Sequence, residues 1–198
     1  MKGNKLIITI SGTPGSGKST VGWVVADRLG LRYYSMGEIR RQYAREHGLT
    51  LEELNIQAEG DAASDRLVDE YQKKLAREEN ILEENILVDS RLGYHFIPKS
   101  IKILLTVPVE VGARRIWKEL AGSPEKRNEA NINSAEELVE SLKARIDCDK
   151  RRYRQLYGID DPFNEANFDL VINTSDKTAE QVADEVVRFV KEGSQGHE

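Results

Sequence analysis

Residues 12–19 read GTPGSGKS and match the pattern G-x-x-x-x-G-K-[ST]. The surroundings are what that pattern requires. Before it stands KLIITI, residues 5–10, an uninterrupted β-rich run of the kind buried on both faces of a parallel sheet. After it, KSTVGWVVADRLG carries Val21, Val24, Val25 and Leu29 at helical spacing, with Gly30 placed to stop the helix. A strand, a glycine-rich turn and a helix start form an anion cradle. Glycines let backbone N–H groups wrap a phosphate, and the helix N-terminus adds its positive dipole end. Gly12, Thr13, Pro14, Gly15, Ser16 and Gly17 make the wrap. Lys18 is placed to reach β- and γ-phosphates, the Ser19 hydroxyl to help hold Mg²⁺, and Thr20 to complete the nucleotide-binding set.

The rest of the chain repeats the alternation of strand and helix. LRYY (31–34), ENILVDS (84–90), SIKILLTV (100–107) and NFDLVINTS (167–175) read as further strands. PVEVGARRIWKELAG (108–122) reads as a helix opened by Pro108, and TAEQVADEVVRFVKEG (178–193) as an amphipathic helix ending at Gly193. Thr50 in TLEE and Ser134 in SAEE mark capping boxes. GSPEKRNEANINS (122–134) is polar and aperiodic and reads as a loop, and SQGHE (194–198) as a frayed end. The expected fold is α/β, a three-layer parallel sheet between helices. Two helical blocks, about 36–80 and 109–157, exceed what simple crossovers need and are candidate inserts over the ligand edge of the sheet.

Bulk properties narrow the function. The 198 residues suit one compact domain. A net charge of -5 opposes general affinity for nucleic acid or anionic membrane. No run approaches the ~18 apolar residues of a membrane span. The N-terminus has no cleavage pattern, so the expected location is cytoplasmic. Cys148 is the single cysteine and lies between two aspartates, which reads as inert.

Asp89 ends an apolar strand, where an acid that holds Mg²⁺ directly or through water should sit. The plainer reading is a strand-end cap. No guanine-reading NKxD element occurs. With one nucleotide site and two helical blocks, a small-molecule kinase leads over a GTPase or a motor.

The basic residues need sorting. Six Lys or Arg stand in the twelve positions from Lys143 to Arg154. At ~100° per residue, Arg145, Asp149 and Arg152 fall within about 60° of one another, at the edge of the stripe Leu138, Leu142, Ile146, Tyr153, Leu156. Lys143, Asp147, Lys150, Arg151 and Arg154 point away and read as a solvated face. Charges bordering a buried stripe need a cleft or partners. A ladder of intrahelical salt bridges and a set of ligand-binding cations stand side by side as readings of the trio. Arg41 opens the first block and Arg91 follows Asp89 near the strand ends, where α/β ligands bind. Each alone reads as a surface arginine.

Taken together, ITISGTPGSGKST, SMGEIRRQYA, DRLVDEYQKKLA, VDSRLG, LKARIDCDKRRYRQLYGID and FDLVINTS resemble the nucleoside monophosphate kinases, most closely the archaeal-type cytidylate kinases. They occur in family order over residues 6–190. The resemblance implies a phosphate-loop kinase domain spanning 1–198, a monophosphate-binding insert at 36–80 and a lid region at 120–150. It implies that Arg41 and Arg91 hold the acceptor's phosphate, and that Arg145 and Arg152 reach the transferring phosphoryl group, with Asp149 orienting them or touching the acceptor. Arg66, Asp65 and Ser35 would lie near the acceptor's base or ribose. Arg115 would lie near the donor phosphates, and the donor adenine near Ser175. Ser90, Glu119 and Met36 depart from the family's usual residues.

The implied reaction is γ-phosphoryl transfer from Mg·ATP to CMP or dCMP. An acceptor such as AMP, UMP or a non-nucleotide, a nucleotide-dependent switch, and RNA binding by the outward basic set are the alternatives. The last is opposed by net charge and by the lack of interleaved aromatics. Monomer and homodimer are not distinguished.

Overall fold

A computed structural model describes residues 5–61, 63–77, 85–122, 132 and 134–195. Five strands form one parallel sheet: β1 (Ile7–Gly12), β2 (Arg32–Ser35), β3 (Ile86–Asp89), β4 (Ile101–Thr106) and β5 (Leu170–Asn173), in the order β2-β3-β1-β4-β5. The chain leaves β1 toward β2 and β3 on one side and reaches β4 and β5 on the other. That reversal of strand order beside β1 is where a parallel sheet opens a crevice at its carboxyl edge. The register brings Ser35, Asp89 and the end of β1 to that edge together, with Ile10 opposite Asp89 and Asp89 opposite Ser35.

β1 explains the layering. Ile8 and Ile10 are fully buried and pack with Val21, Val25, Val186 and Val190. These come from helices α1 (Lys18–Leu29) and, near the C-terminus, α8 (Ala179–Gln195), which cover this face. The intervening residues Thr9 and Ser11 are small and polar. Thr9 shares a hydrogen bond with Ser100, and Ser11 donates to the carbonyl of Ser90. Their small size lets the turn after β3 and the short helix α5 (Gly93–Phe96) sit against the sheet. A Cβ on Gly93 would lie 3.0 Å from Thr9.

Between β2 and β3 the chain forms α2 (Met36–Glu46), α3 (Leu51–Gly60) and α4 (Ala63–Arg77). Met36 and Leu75 join Ile86 and Val88 in a second core. Between β4 and β5 it forms α6 (Val109–Gly122) and α7 (Ala135–Tyr157). α7 packs on α3 and α6, so it bridges the two helical blocks. Thr50 forms the full capping box with Glu53, Ser134 accepts from the Glu137 N–H, and Gly30 and Gly158 end their helices in the left-handed region.

Two expectations shift. α8 continues past Gly193 to Gln195. Leu156 is 38% exposed, because the buried face of α7 turns to Cys148, Asp149, Arg152 and Tyr153 in its second half. Residues 78–80, 123–131 and 133, inside the expected insert, loop and lid, lie outside the described residues, as do 196–198 of the expected frayed end. Among the described residues, no helix is long and apolar enough to cross a membrane.

Candidate active site

The carboxyl edge of the sheet opens into a cleft of about 280 Å³. One wall is the phosphate loop. Gly15 and Gly17 have φ of 77° and 82°, left-handed backbone of the kind that folds a loop round an anion, and the Ser16 N–H between them closes the turn on the Thr13 carbonyl at 3.1 Å. A Cβ on Gly15 would fall 2.4 Å from Gly112 Cα, and a Cβ on Gly112 would fall 2.4 Å from the Pro14 carbonyl. The loop therefore lies backbone-to-backbone on α6. Gly12 is equally closed in, with Ser16 Oγ 2.6 Å from its would-be Cβ. That Ser16 hydroxyl is buried and has no hydrogen-bond partner among the described residues.

Lys18 forms an ion pair with Asp89, whose side chain is fully buried. The Tyr33 hydroxyl donates to the other oxygen of Asp89 at 2.7 Å. Burial raises the Tyr33 pKa, so the phenol stays a donor. Ser19 and Thr20 are exposed in the first turn of α1. A carboxylate next to a helix-start hydroxyl is a donor set suited to Mg²⁺, which takes few protein ligands and completes its shell with water and phosphate oxygens. No group of three or more His, Cys, Asp or Glu suited to a metal occurs among the described residues.

The other wall is made of side chains. Arg91, from the turn after β3, pairs with Asp149 on α7. Asp149 accepts from Arg152 at 2.7 Å, and Arg152 Nε reaches Asp65 on α4 at 2.9 Å. Asp65 also pairs with Arg40 on α2. Charges thus alternate along a chain of five side chains that joins four parts of the fold. Asp149, Arg152 and Asp65 are 1%, 2% and 5% exposed at the side chain. Such burial is tolerable because each carboxylate meets two guanidiniums. Burial and the nearby Arg145 push the Arg91 pKa down to about 9, which still leaves it charged at neutral pH. For Arg152, burial works against the charge, but Tyr153, Asp65 and Cys148 outweigh it and raise its pKa. Six cations and four carboxylates line the cleft, a positive balance inside a chain of net charge -5.

Most of the residues singled out from the sequence meet in this cleft. Gly12 to Thr20, Arg41, Asp65, Arg91, Arg145, Asp149 and Arg152 all line it. Arg41 is partly held by Glu38 at 2.9 Å. Five lie outside its lining, the first being Asp89, which is fully buried behind Lys18. Arg66 is 73% exposed on the outer side of α4, 3.5 Å from Asp61, so it stands off the face that carries Asp65. Ser35 caps α2 by accepting from the Glu38 N–H. Arg115 donates to the carbonyls of Gly15, Thr174 and Ser175 and to the Thr174 hydroxyl, which fastens the phosphate loop to the turn after β5. The Ser175 hydroxyl turns back to Asn173. Cys148 is buried against the Asn55 carbonyl, as its inert reading requires.

The sequence reading missed Arg40, Asp69, Gln72, Tyr33 and Gly112. Helical spacing offered a signal for the first three. Met36, Arg40 and Ala44 are one stripe of α2, and Asp65, Asp69 and Gln72 repeat on α4 the i, i+4, i+7 spacing of the α7 trio. Gly112 carried a signal too, since a glycine inside a helix costs stability unless something approaches closely.

Comparisons with known proteins give the family and the fold. Residues 7–176 match the model of the cytidylate kinase-like family. A cytidylate kinase of Archaeoglobus fulgidus is 35% identical over 93% of this chain and 94% of its own length. An S-adenosylmethionine-dependent nucleotide dehydratase of Lacinutrix mariniflava is 35% identical over 96% of this chain, but the chain spans only 37% of that protein. The fold is shared with shikimate kinase from Bacteroides thetaiotaomicron, with a TM-score of 0.62 and 17% identity over 94% of this chain and 98% of that one. The chain has the α/β phosphate-loop kinase fold and belongs to the cytidylate kinase-like family, a family of phosphotransferases.

Proposed function

We propose that the protein transfers the γ-phosphoryl group of Mg·ATP reversibly to CMP or dCMP, giving the diphosphate and ADP. The observation that carries this reading is the buried arginine chain set in the same cleft as the phosphate loop. Two polyanions must be brought together, and planar guanidiniums suit phosphate oxygens. The loop's N–H groups, Lys18 and the Ser16 hydroxyl, which has no partner among the described residues, fit the donor phosphates. Ser19 and Asp89 would hold Mg²⁺, which supplies positive charge beside the transferring oxygens. Lys18 then leaves Asp89 for phosphate. The adenine is assigned to the turn at Ser175, with Arg115 bracing that turn against the loop.

Arg41 and Arg91 are assigned to the acceptor's phosphate, and Arg145 and Arg152 to the charge that spreads over the transferring group. Asp149 and Asp65 position Arg152. α2–α4, within 36–80, serve as the acceptor insert and 120–150 as the lid. Asp65 remains near the acceptor, while Arg66 and Ser35 are kept only as flanking residues. Transfer needs no general base, because the acceptor phosphate oxygen is already a nucleophile near neutral pH. Catalysis is positioning and exclusion of water. The test is an acceptor panel with ATP, in which both ADP and phosphorylated product are measured. CDP formation with CMP well above AMP and UMP is expected. ATP hydrolysis without any phosphorylated acceptor would sink the reading.

A further inference from the structure

Asp89 is fully buried and has two side-chain partners among the described residues. Lys18 pairs with Oδ1, and the Tyr33 hydroxyl donates to Oδ2 at 2.7 Å. The two partners differ in freedom. Lys18 sits on a long flexible stem and, in the reading above, leaves for phosphate. Tyr33 is fixed. β2 and β3 set it beside Leu87, on the face of the sheet that also carries Asp89. Its ring lies against α1, where a Cβ on Gly22 would stand 3.1 Å from Tyr33 Cε2 and 3.3 Å from Leu87 Cδ2. A glycine inside a helix weakens it, and here the missing side chain is what gives the ring its space. The same hydroxyl is 3.5 Å from the Ser19 carbonyl, so it stands between the two residues assigned to Mg²⁺.

This arrangement makes the two oxygens of Asp89 unequal. Oδ2 is committed to a rigid donor. Oδ1 is held by a partner that moves away when nucleotide arrives. A buried carboxylate stripped of partners is strongly disfavoured, and the bond to Oδ2 keeps it charged and in one orientation while Oδ1 changes hands. A carboxylate with one oxygen to offer suits Mg²⁺, which uses one or two carboxylates and keeps several waters. It suits Ca²⁺ less, because Ca²⁺ readily takes both oxygens of a carboxylate and fills about six to eight positions.

We propose that Tyr33 is a positioning residue for the metal: it presents Asp89 through Oδ1 alone and so sets a preference for Mg²⁺ over Ca²⁺. The inference rests on the assignment of Asp89 and Ser19 to Mg²⁺ above.

Tyr33→Phe removes the hydroxyl and leaves the ring on Gly22. Binding of the β,γ-imido analogue of ATP is measured by calorimetry in EDTA, in Mg²⁺ and in Ca²⁺. Wild-type protein should bind the analogue most tightly with Mg²⁺. In the variant the Kd with Mg²⁺ should weaken about tenfold, the lower end of what losing a metal ligand's own partner does. The Kd in EDTA should hold, and the Mg²⁺-to-Ca²⁺ preference should fall toward one. A purely structural role would move the Kd values together, with a lowered thermal midpoint. Equal losses in every condition, or no loss in any, therefore overturn the inference. A variant that does not fold leaves the wild-type comparison to decide, and equal wild-type affinity with Mg²⁺ and Ca²⁺ overturns it. Wild-type affinity that is the same in EDTA and in Mg²⁺ overturns the metal assignment beneath it, and wild-type protein that binds no analogue overturns the nucleotide reading itself.

Discussion

Between Gly12 and Ser19 the cleft is built from backbone; between Arg40 and Arg152 it is built from side chains. The loop's N–H groups are fixed by covalent geometry and by two glycines that press it onto α6. The arginine wall has no such rigidity of its own. Its guanidiniums hold position because Asp149 and Asp65 each sit between two of them. The first wall is local in sequence. The second draws on residues from 40 to 152 and exists only once four parts of the fold have docked. A mutation should therefore act on the loop as a local loss, and on the arginine wall as a loss shared between turnover and stability.

The largest expected effect is at Lys18. Lys18→Ala removes the one side-chain cation of the loop, and phosphoryl transfer should be abolished in the acceptor assay. The fold should survive, because Asp89 keeps the Tyr33 hydroxyl at 2.7 Å. Measurable turnover in a folded Lys18→Ala protein would show that the backbone cradle suffices, and would remove the side chain from the mechanism.

The contrast also explains what the sequence made legible. The phosphate loop could be read from eight consecutive residues, because its chemistry is a property of local backbone. The sheet and capping boxes were legible for the same reason. On α7 the helical period placed Arg145, Asp149 and Arg152 on one face, and all three line the cleft. Period alone could not say that Asp149 pairs with Arg91, since that contact depends on how α7 crosses the turn after β3. Nor could it choose between Arg40 and Arg41. Arg40 follows the buried stripe of Met36 and Ala44, while Arg41 leans to Glu38, and only docking against α4 supplies Asp65 as the reason. Arg66 shows the converse error. Its neighbour Asp65 faces the cleft, but one step of ~100° turns Arg66 to solvent.

The two α7 arginines of the trio separate turnover from stability. Arg145→Ala and Arg152→Ala should each lower kcat at least ~10²-fold, a discount from arginine-finger magnitudes. Only Arg152→Ala should also unfold early in denaturant. Its removal leaves Asp149 and Asp65 short of a partner in a buried setting, a loss of roughly 3–5 kcal/mol. Arg145 is less deeply buried than Arg152 and should cost less. Near-normal turnover in both variants would reduce the trio to a structural ladder. Equal stability losses would erase the distinction between a positioned catalytic arginine and one that also fastens α4 to α7.

The smallest effect probes the edge of the same wall, at Asp69. Burial pushes its carboxyl pKa up to about 6; the Tyr157 hydrogen bond opposes this, Asp65 adds to it, and Lys73 and Arg40 oppose it. A carboxyl whose folded pKa lies above its unfolded value binds its proton more tightly in the native state. Stability is then fully present below the unfolded pKa, ordinarily near 3.8, and is lost as pH rises through about 6. Asp69→Asn removes that loss and can still accept from Tyr157. The stability difference, variant minus wild type, should be near zero at about pH 4 and grow through pH 6. It should level off above pH 7 at no more than ~3 kcal/mol, from 1.36 kcal/mol per pKa unit. His95 has its ring 5.7 Å from Tyr157, and burial and then Lys73 lower its pKa. It is present in both proteins and cancels in the difference. Denaturant midpoints across pH 4–8 measure it. A flat difference would mean that Asp69 is hydrated in solution, and that the side-chain wall ends at Asp65 rather than continuing along α4 toward Gln72.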